Sequence, residues 1–142
     1  MDLIPFAAGF LTPDLSSFSR IRLLGTRCMD CEAAMAGSRR HCARCLSRKV
    51  RPIQLANRGT VLSFETQRHP PPPPIGMRAN QERRIIASVE LFDRGPRVVA
   101  ELEGDAPGLG IGSEVNVVVG PGWRDVFGRQ VVTYWFRLND SP

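Results

Sequence analysis

A chain of 142 residues with 42% hydrophobic side chains suits one domain, or a compact domain with a small appended module, and is apolar enough to build a core. No apolar run reaches the roughly 18 residues that span a bilayer, and Met1–Leu11, with Asp2, Pro5 and no basic cluster, makes a poor signal peptide, so a cytoplasmic protein is expected. The net charge of +5 is unevenly spread: residues 1–58 hold ten basic and four acidic side chains, residues 59–142 nine and ten, so a basic partner surface is expected in the first part only.

Residues 1–20 read as an arm. Pro5, Gly9 and Pro13 interrupt it, while Leu3, Ile4, Phe6, Phe10 and Leu11 supply apolar anchors without helical spacing. Those anchors must be buried, either on the chain's own core or on another subunit. Ile21–Leu24 is a short strand-like run that leads into the four cysteines of the chain.

Cys28 and Cys31, then Cys42 and Cys45, form two Cys-x-x-Cys knuckles separated by ten residues. Each knuckle lends two thiolates to one tetrahedral ion, and the intervening segment is long enough to fold one onto the other. Zinc is the expected ion, in a ribbon spanning 21–50. The same sulfurs would hold iron in a rubredoxin-like site, and two disulfides would be the reading in a secreted protein. Four protein thiolates leave no open coordination position, so the zinc would be structural. His41 adjoins Cys42, but a filled site leaves it at the surface.

Arg39, Arg40, Arg44, Arg48, Lys49, Arg51 and Arg58 follow with no acidic residue among them. Eighteen of the nineteen basic residues are arginine, whose planar fork favours bidentate contacts to phosphate or carboxylate, although an arginine-rich coding background would give the same bias.

Beyond the cysteines the pattern changes to the alternation of half-buried strands. Thr60–Thr66 sets Leu62 and Phe64 on one face against Val61, Ser63 and Glu65. Ile85–Leu91 sets Ile85, Ala87, Val89 and Leu91 against Ile86, Ser88 and Glu90. A turn at Asp93-Arg94-Gly95-Pro96 leads to Arg97–Leu102, and Val115–Val119 and Val131–Leu138 complete the set. Five short strands without a long helix predict a mainly β chain: a rubredoxin-like zinc ribbon followed, over residues 51–142, by a five-stranded OB-fold barrel. Between the first two barrel strands lies a proline-rich loop, 67–84, whose run Pro70–Pro74 favours a stiff polyproline rod, a spacer or a docking strut. Gly108, Gly110 and Gly112 follow no strand and lack the dinucleotide-binding spacing; they are a loop.

No catalytic constellation is legible. The cysteines are committed, His41 and His69 have no evident partner, and Glu65, Glu90 and Glu101 fall on the faces opposite the large apolar sets. The alternative function is single-stranded nucleic-acid binding, with Phe64, Trp123, Tyr134, Trp135 and Phe136 to stack bases. Against it, the barrel is near neutral where a nucleic-acid groove would be basic, and alternation sends Phe64, Tyr134 and Phe136 to the core.

From about Arg22 to Leu138 the chain resembles the zinc-ribbon/OB-fold acyl-CoA-associated proteins of the domain-of-unknown-function family 35. The resemblance rests on Leu23-Leu24-Gly25-Thr26-Arg27-Cys28, the two knuckles, Arg58-Gly59-Thr60-Val61, the run Gly95–Leu102, and Ile111-Gly112 ahead of Val115. Glu32 stands where the family usually has glycine after the second cysteine, Gly37-Ser38-Arg39-Arg40 replaces a Pro-Pro-Arg, and Ala43 replaces a proline. The resemblance implies a non-catalytic accessory subunit in a hetero-oligomer with a thiolase-fold enzyme, which performs thiolysis or aldol/Claisen chemistry on a CoA ester. It also implies a CoA ester at the partner interface, for which Arg39, Arg40, Arg44 and Arg48 are the candidate phosphate contacts, an acidic partner surface being the equal alternative. Neither nucleic acid nor membrane is then a partner.

Overall fold

A computed structural model describes residues 2–68 and 83–139; His69, the run Pro70–Pro74 and most of the loop 67–84 lie outside the described residues. Nine strands are present among them: β1 (Leu3–Pro5), β2 (Leu24–Cys28), β3 (Ala34–Ala36), β4 (Val50–Gln54), β5 (Arg58–Gln67), β6 (Arg84–Leu91), β7 (Arg97–Leu102), β8 (Glu114–Arg124) and β9 (Gln130–Leu138). A single turn of 3-10 helix, Phe18–Arg20, is the helical element among the described residues.

Strands β5 to β9 close into a five-stranded barrel in the order β5-β6-β7-β9-β8, with β8 returning to β5. All pairs are antiparallel except β7 with β9, which run parallel where Leu102 faces Phe136. The closed core gathers Val61, Ile85, Ala87, Val89, Leu91, Leu102, Val115, Val132 and Phe136. On β6 alternate residues are buried as the period-two pattern predicts, because the outer face meets water and the inner face meets the facing strands. The β6–β7 turn holds Asp93 and Arg94 at φ 61° and 57°, the paired left-handed geometry of a tight hairpin turn.

Two strands depart from the sequence expectation. In β5 the register shifts between Val61 and Ser63, so Val61 points into the core and Leu62 is the extra residue. A bulge moves the alternation by one, so Val61 and Phe64 both face the inner row of β6, where uninterrupted alternation would have grouped Phe64 with Leu62. Phe64 lies opposite buried Ala87 but is 41% exposed, since β8 covers β5 only from Arg58 to Thr60. The strand predicted over Val115–Val119 continues as β8 to Arg124, through Gly120-Pro121-Gly122. Gly120 is required there: a Cβ would sit 2.7 Å from the Trp135 ring.

The cysteine-bearing segment forms a separate three-stranded antiparallel sheet in the order β3-β2-β4. The boundary expected between residues 50 and 51 falls inside β4, which pairs with β2 from Leu24 opposite Gln54 to Cys28 opposite Val50. Leu55 then turns inward over Gly25, where a Cβ would meet Leu55 Cδ2 at 2.5 Å.

The arm packs on its own chain and stitches the two sheets together. β1 lies parallel to the start of β9, and Phe6 N–H donates to Val132 O. Further on, Leu24 N–H donates to Phe10 O and Ser38 N–H to Gly9 O, while buried Leu11 bridges Leu23. The Phe6 ring stands 5.5 Å from both Phe10 and Tyr134, and Phe10 lies so close over Gly37 that a Cβ there would be 2.8 Å from the ring.

Candidate metal centre and its surface

Each knuckle is a tight backbone loop. Glu32 N–H donates to Cys28 O and Leu46 N–H to Cys42 O, closing equivalent turns, and both Glu32 and Leu46 adopt φ 66°. That left-handed geometry strains any residue with a Cβ, which explains why glycine is usual at the first of these positions in the family the sequence resembles. Ser47 Oγ donates to the Asp30 carboxylate and ties the loops to each other.

The four Sγ atoms all lie within 4.8 Å of one another, with Cys28 to Cys45 at 3.5 Å and Cys31 to Cys42 at 3.6 Å. A tetrahedral ion bonded to sulfur at about 2.3 Å would set the sulfurs about 3.8 Å apart, so the cluster fits a metal such as zinc. All four thiols are free, and these separations are far from the roughly 2.05 Å of a disulfide. Cys28 and Cys42 are buried, Cys31 is half-buried and Cys45 exposed.

Backbone amides point at the sulfurs: Cys31 N–H donates to Cys28 Sγ, and Arg44 and Cys45 N–H to Cys42 Sγ. The Cys45 amide, joined by that of Arg44, overcomes burial and lowers Cys42 to about 6. The Cys31 amide lowers Cys28 in the same way. At Cys45 the Ser47 amide works downward but is outweighed by the Cys28 sulfur, burial and the other thiols, leaving it pushed up to about 12. Four thiolates so close together repel, and a dication is the species that lets all of them lose their protons.

Around the centre the predicted arginines are where the sequence places them, at the surface. Arg39, Arg40, Arg44 and Arg48 are all exposed, with Arg39 Nε donating to Ala36 O. His41 is exposed, as expected of a residue outside a filled site. Arg58 leaves the cluster: it pairs with Glu114 and lies 5.7 Å over the Phe92 ring, on the barrel. Arg27 fixes the ribbon to the β6–β7 turn by donating to Arg94 O and Asp93 O. Two features had escaped the sequence reading. Met29 and Leu46 are exposed on the knuckles, and Val126 and Phe127 are exposed at the tip of the β8–β9 hairpin. An Asp-x-x-Gly turn with an apolar pair inside it was the available signal for the second.

A four-thiol ribbon leading into a closed five-stranded OB barrel defines the class of protein. Residues 53–120 match the family model described as the C-terminal OB-fold domain of ChsH2. A chain of the solved Ltp2–ChsH2(DUF35) aldolase is 29% identical, with a TM-score of 0.59, over 82% of this chain and 84% of that one. No curated protein matches the chain. The resemblance to the zinc-ribbon/OB-fold family, domain of unknown function family 35, is borne out by both findings. Among the described residues no helix is long and apolar enough to cross a membrane.

Proposed function

We propose that this chain is a non-catalytic, zinc-containing accessory subunit that binds and organises a thiolase-fold enzyme acting on a CoA ester by aldol or thiolytic chemistry. The observation that carries this reading is the likeness, along most of both chains, to a chain of the Ltp2–ChsH2(DUF35) aldolase. The chemistry of the centre supports it. Cys28, Cys31, Cys42 and Cys45 would fill all four positions of a zinc ion, which would then fix the ribbon and present no site to substrate. Thiolate ligation of a metal, as proposed, suits a reducing compartment such as the cytoplasm. The exposed Arg39, Arg40, Arg44 and Arg48 surround that staple and would meet CoA phosphates, or carboxylates of the partner, at the interface.

The nucleic-acid alternative finds less support. Phe136 is fully buried, the Tyr134 hydroxyl donates to Val99 O, and exposed Glu65 and Glu90 stand on the barrel strands. A strand of phosphates would meet carboxylates there.

Co-expression with the Ltp2-like subunit of the source genome tests the reading. The expected outcome is a stable hetero-oligomer in which cleavage activity requires both chains, while this chain alone turns over no CoA ester. An Ltp2-like subunit that is fully active and stable alone would overturn it.

A further inference from the structure

The β8–β9 hairpin ends in Val126 and Phe127, 90% and 79% exposed, where a polar turn would serve solubility better. The tip is fixed in shape. The Asp125 carboxylate accepts from Phe127 N–H at 3.0 Å, Arg129 N–H at 2.8 Å and Arg129 Nε at 2.7 Å. Gly128, at φ +79°, donates to Asp125 O, and Arg124 Nη1 donates to Gly128 O. The Arg129 guanidinium lies 5.2 Å over the Phe127 ring. The Asp125–Arg129 pair is therefore neutral within itself, and an apolar socket can take the tip without leaving a bare charge. Because the loop is already ordered, docking it costs little conformational entropy.

Beside the tip lies a shallow hollow lined by Asp2, Leu3, Asp14, Leu15 and Arg129. Arg129 is committed to Asp125, so the hollow carries the net negative charge of Asp2 and Asp14. The Ser16 hydroxyl and amide hold Asp14 below the usual carboxylate range. An apolar knob next to an acidic hollow calls for a socket with a cation at its lip.

We propose that the Val126–Phe127 tip and the adjoining hollow are one docking surface for the enzyme subunit, which offers an apolar socket bordered by a lysine or arginine. This rests on the accessory-subunit reading above and adds where the partner is gripped. An anionic membrane would be repelled by Asp2 and Asp14, and it gains nothing from an internally paired arginine. A symmetric pair of copies would bring two acidic hollows to one interface, and two side chains bury far less than the roughly 1,000 Å² of a stable interface, so the tip acts as the anchor of a larger heteromeric contact.

The test titrates the Ltp2-like subunit with the intact chain and three variants: the double variant V126S/F127S, the double variant D2N/D14N, and I111S as a control at an exposed apolar residue of the β7–β8 loop. The tip variant should weaken binding roughly tenfold or more, as an interface anchor does. D2N/D14N should weaken it a few-fold and flatten its salt dependence. I111S should leave it unchanged, and metal content and Tm should match the parent in all three. If the parent forms the complex and V126S/F127S binds as tightly, this inference falls and the accessory reading stands. If the parent forms no complex, both fall. Loss of phosphatidylserine-vesicle flotation, or of a homodimer, with the hetero-complex intact would overturn it in favour of a membrane or a second copy.

Discussion

The barrel and the ribbon are held together by different means. Among the described residues one apolar cluster of fifteen buried side chains fills the barrel and reaches out to the arm and the ribbon's edge at Leu11, Ile21, Leu23 and Leu55, whereas around the cysteines the cluster is only Cys28, Met35 and Cys42. Hydrophobic burial at about 25 cal/mol per Å² can sustain the first, but three residues cannot offset the ordering of a three-stranded sheet. Thr26 helps, its hydroxyl donating to Gly37 O and accepting from Arg39 N–H in a buried position. On the reading proposed above, metal ligation and contacts to the barrel supply the rest of the ribbon's stability.

The largest expected effect breaks one region and spares the other. Cys42→Ser should abolish stoichiometric zinc and unfold the ribbon, read by metal analysis and by the amide spectrum of β2 to β4, while the barrel resonances persist. Phe136→Ala should do the converse. Emptying a fully buried site at the β7–β9 junction should cost about 3–5 kcal/mol in denaturant unfolding, with the metal still bound in the fraction that remains folded.

A smaller effect tests the joint between the regions. Phe10 packs on Gly37 of the ribbon and on Phe6, which in turn touches Tyr134 of the barrel. Phe10→Ala should destabilise by roughly 2 kcal/mol, less than a core phenylalanine because the ring is partly exposed. It should also uncouple the two unfolding transitions, seen as a difference between the ribbon and barrel midpoints.

The smallest effect runs the other way. Glu32 and Leu46 hold left-handed backbone that costs a non-glycine residue about 1–2 kcal/mol, and the Glu32–Arg94 contact at 4.0 Å is exposed on both sides. After the extra entropy lost by glycine, each of Glu32→Gly and Leu46→Gly should stabilise the ribbon by roughly 0.5–1 kcal/mol, measured as a higher chelator concentration needed to unfold it.

The clustering of the four thiols was legible because two Cys-x-x-Cys pairs at this separation have few other uses. The β6 strand was legible because its alternation matches the strand period without interruption, β9 because its large apolar residues Val132, Tyr134, Phe136 and Leu138 recur at that period, and β7 because the turn at Asp93–Pro96 ahead of it marks a hairpin. What stayed hidden depends on partners distant in sequence. The bulge at Leu62 is set by pairing with β6, and the extension of β8 across Gly120-Pro121-Gly122 by pairing with β9, where Gly120 lies opposite Thr133 and leaves room for the Trp135 ring. The arm's destination could not be read locally, since Leu3, Phe6 and Phe10 meet β9 and Gly37 only in the folded chain. Arg58 belonged to the basic run in sequence, and only the fold shows Glu114 taking it.

Hydrogen exchange on the full chain, before and after chelation, addresses the central division most directly. Metal removal should strip protection from the amides of Cys28, Glu32, Leu46 and Val50, which are hydrogen-bonded within the ribbon, and leave Ile85–Leu91 of β6 as protected as before. Unchanged protection at the knuckles, or equal loss in β6, would contradict a metal-stapled ribbon borne on a self-sufficient barrel.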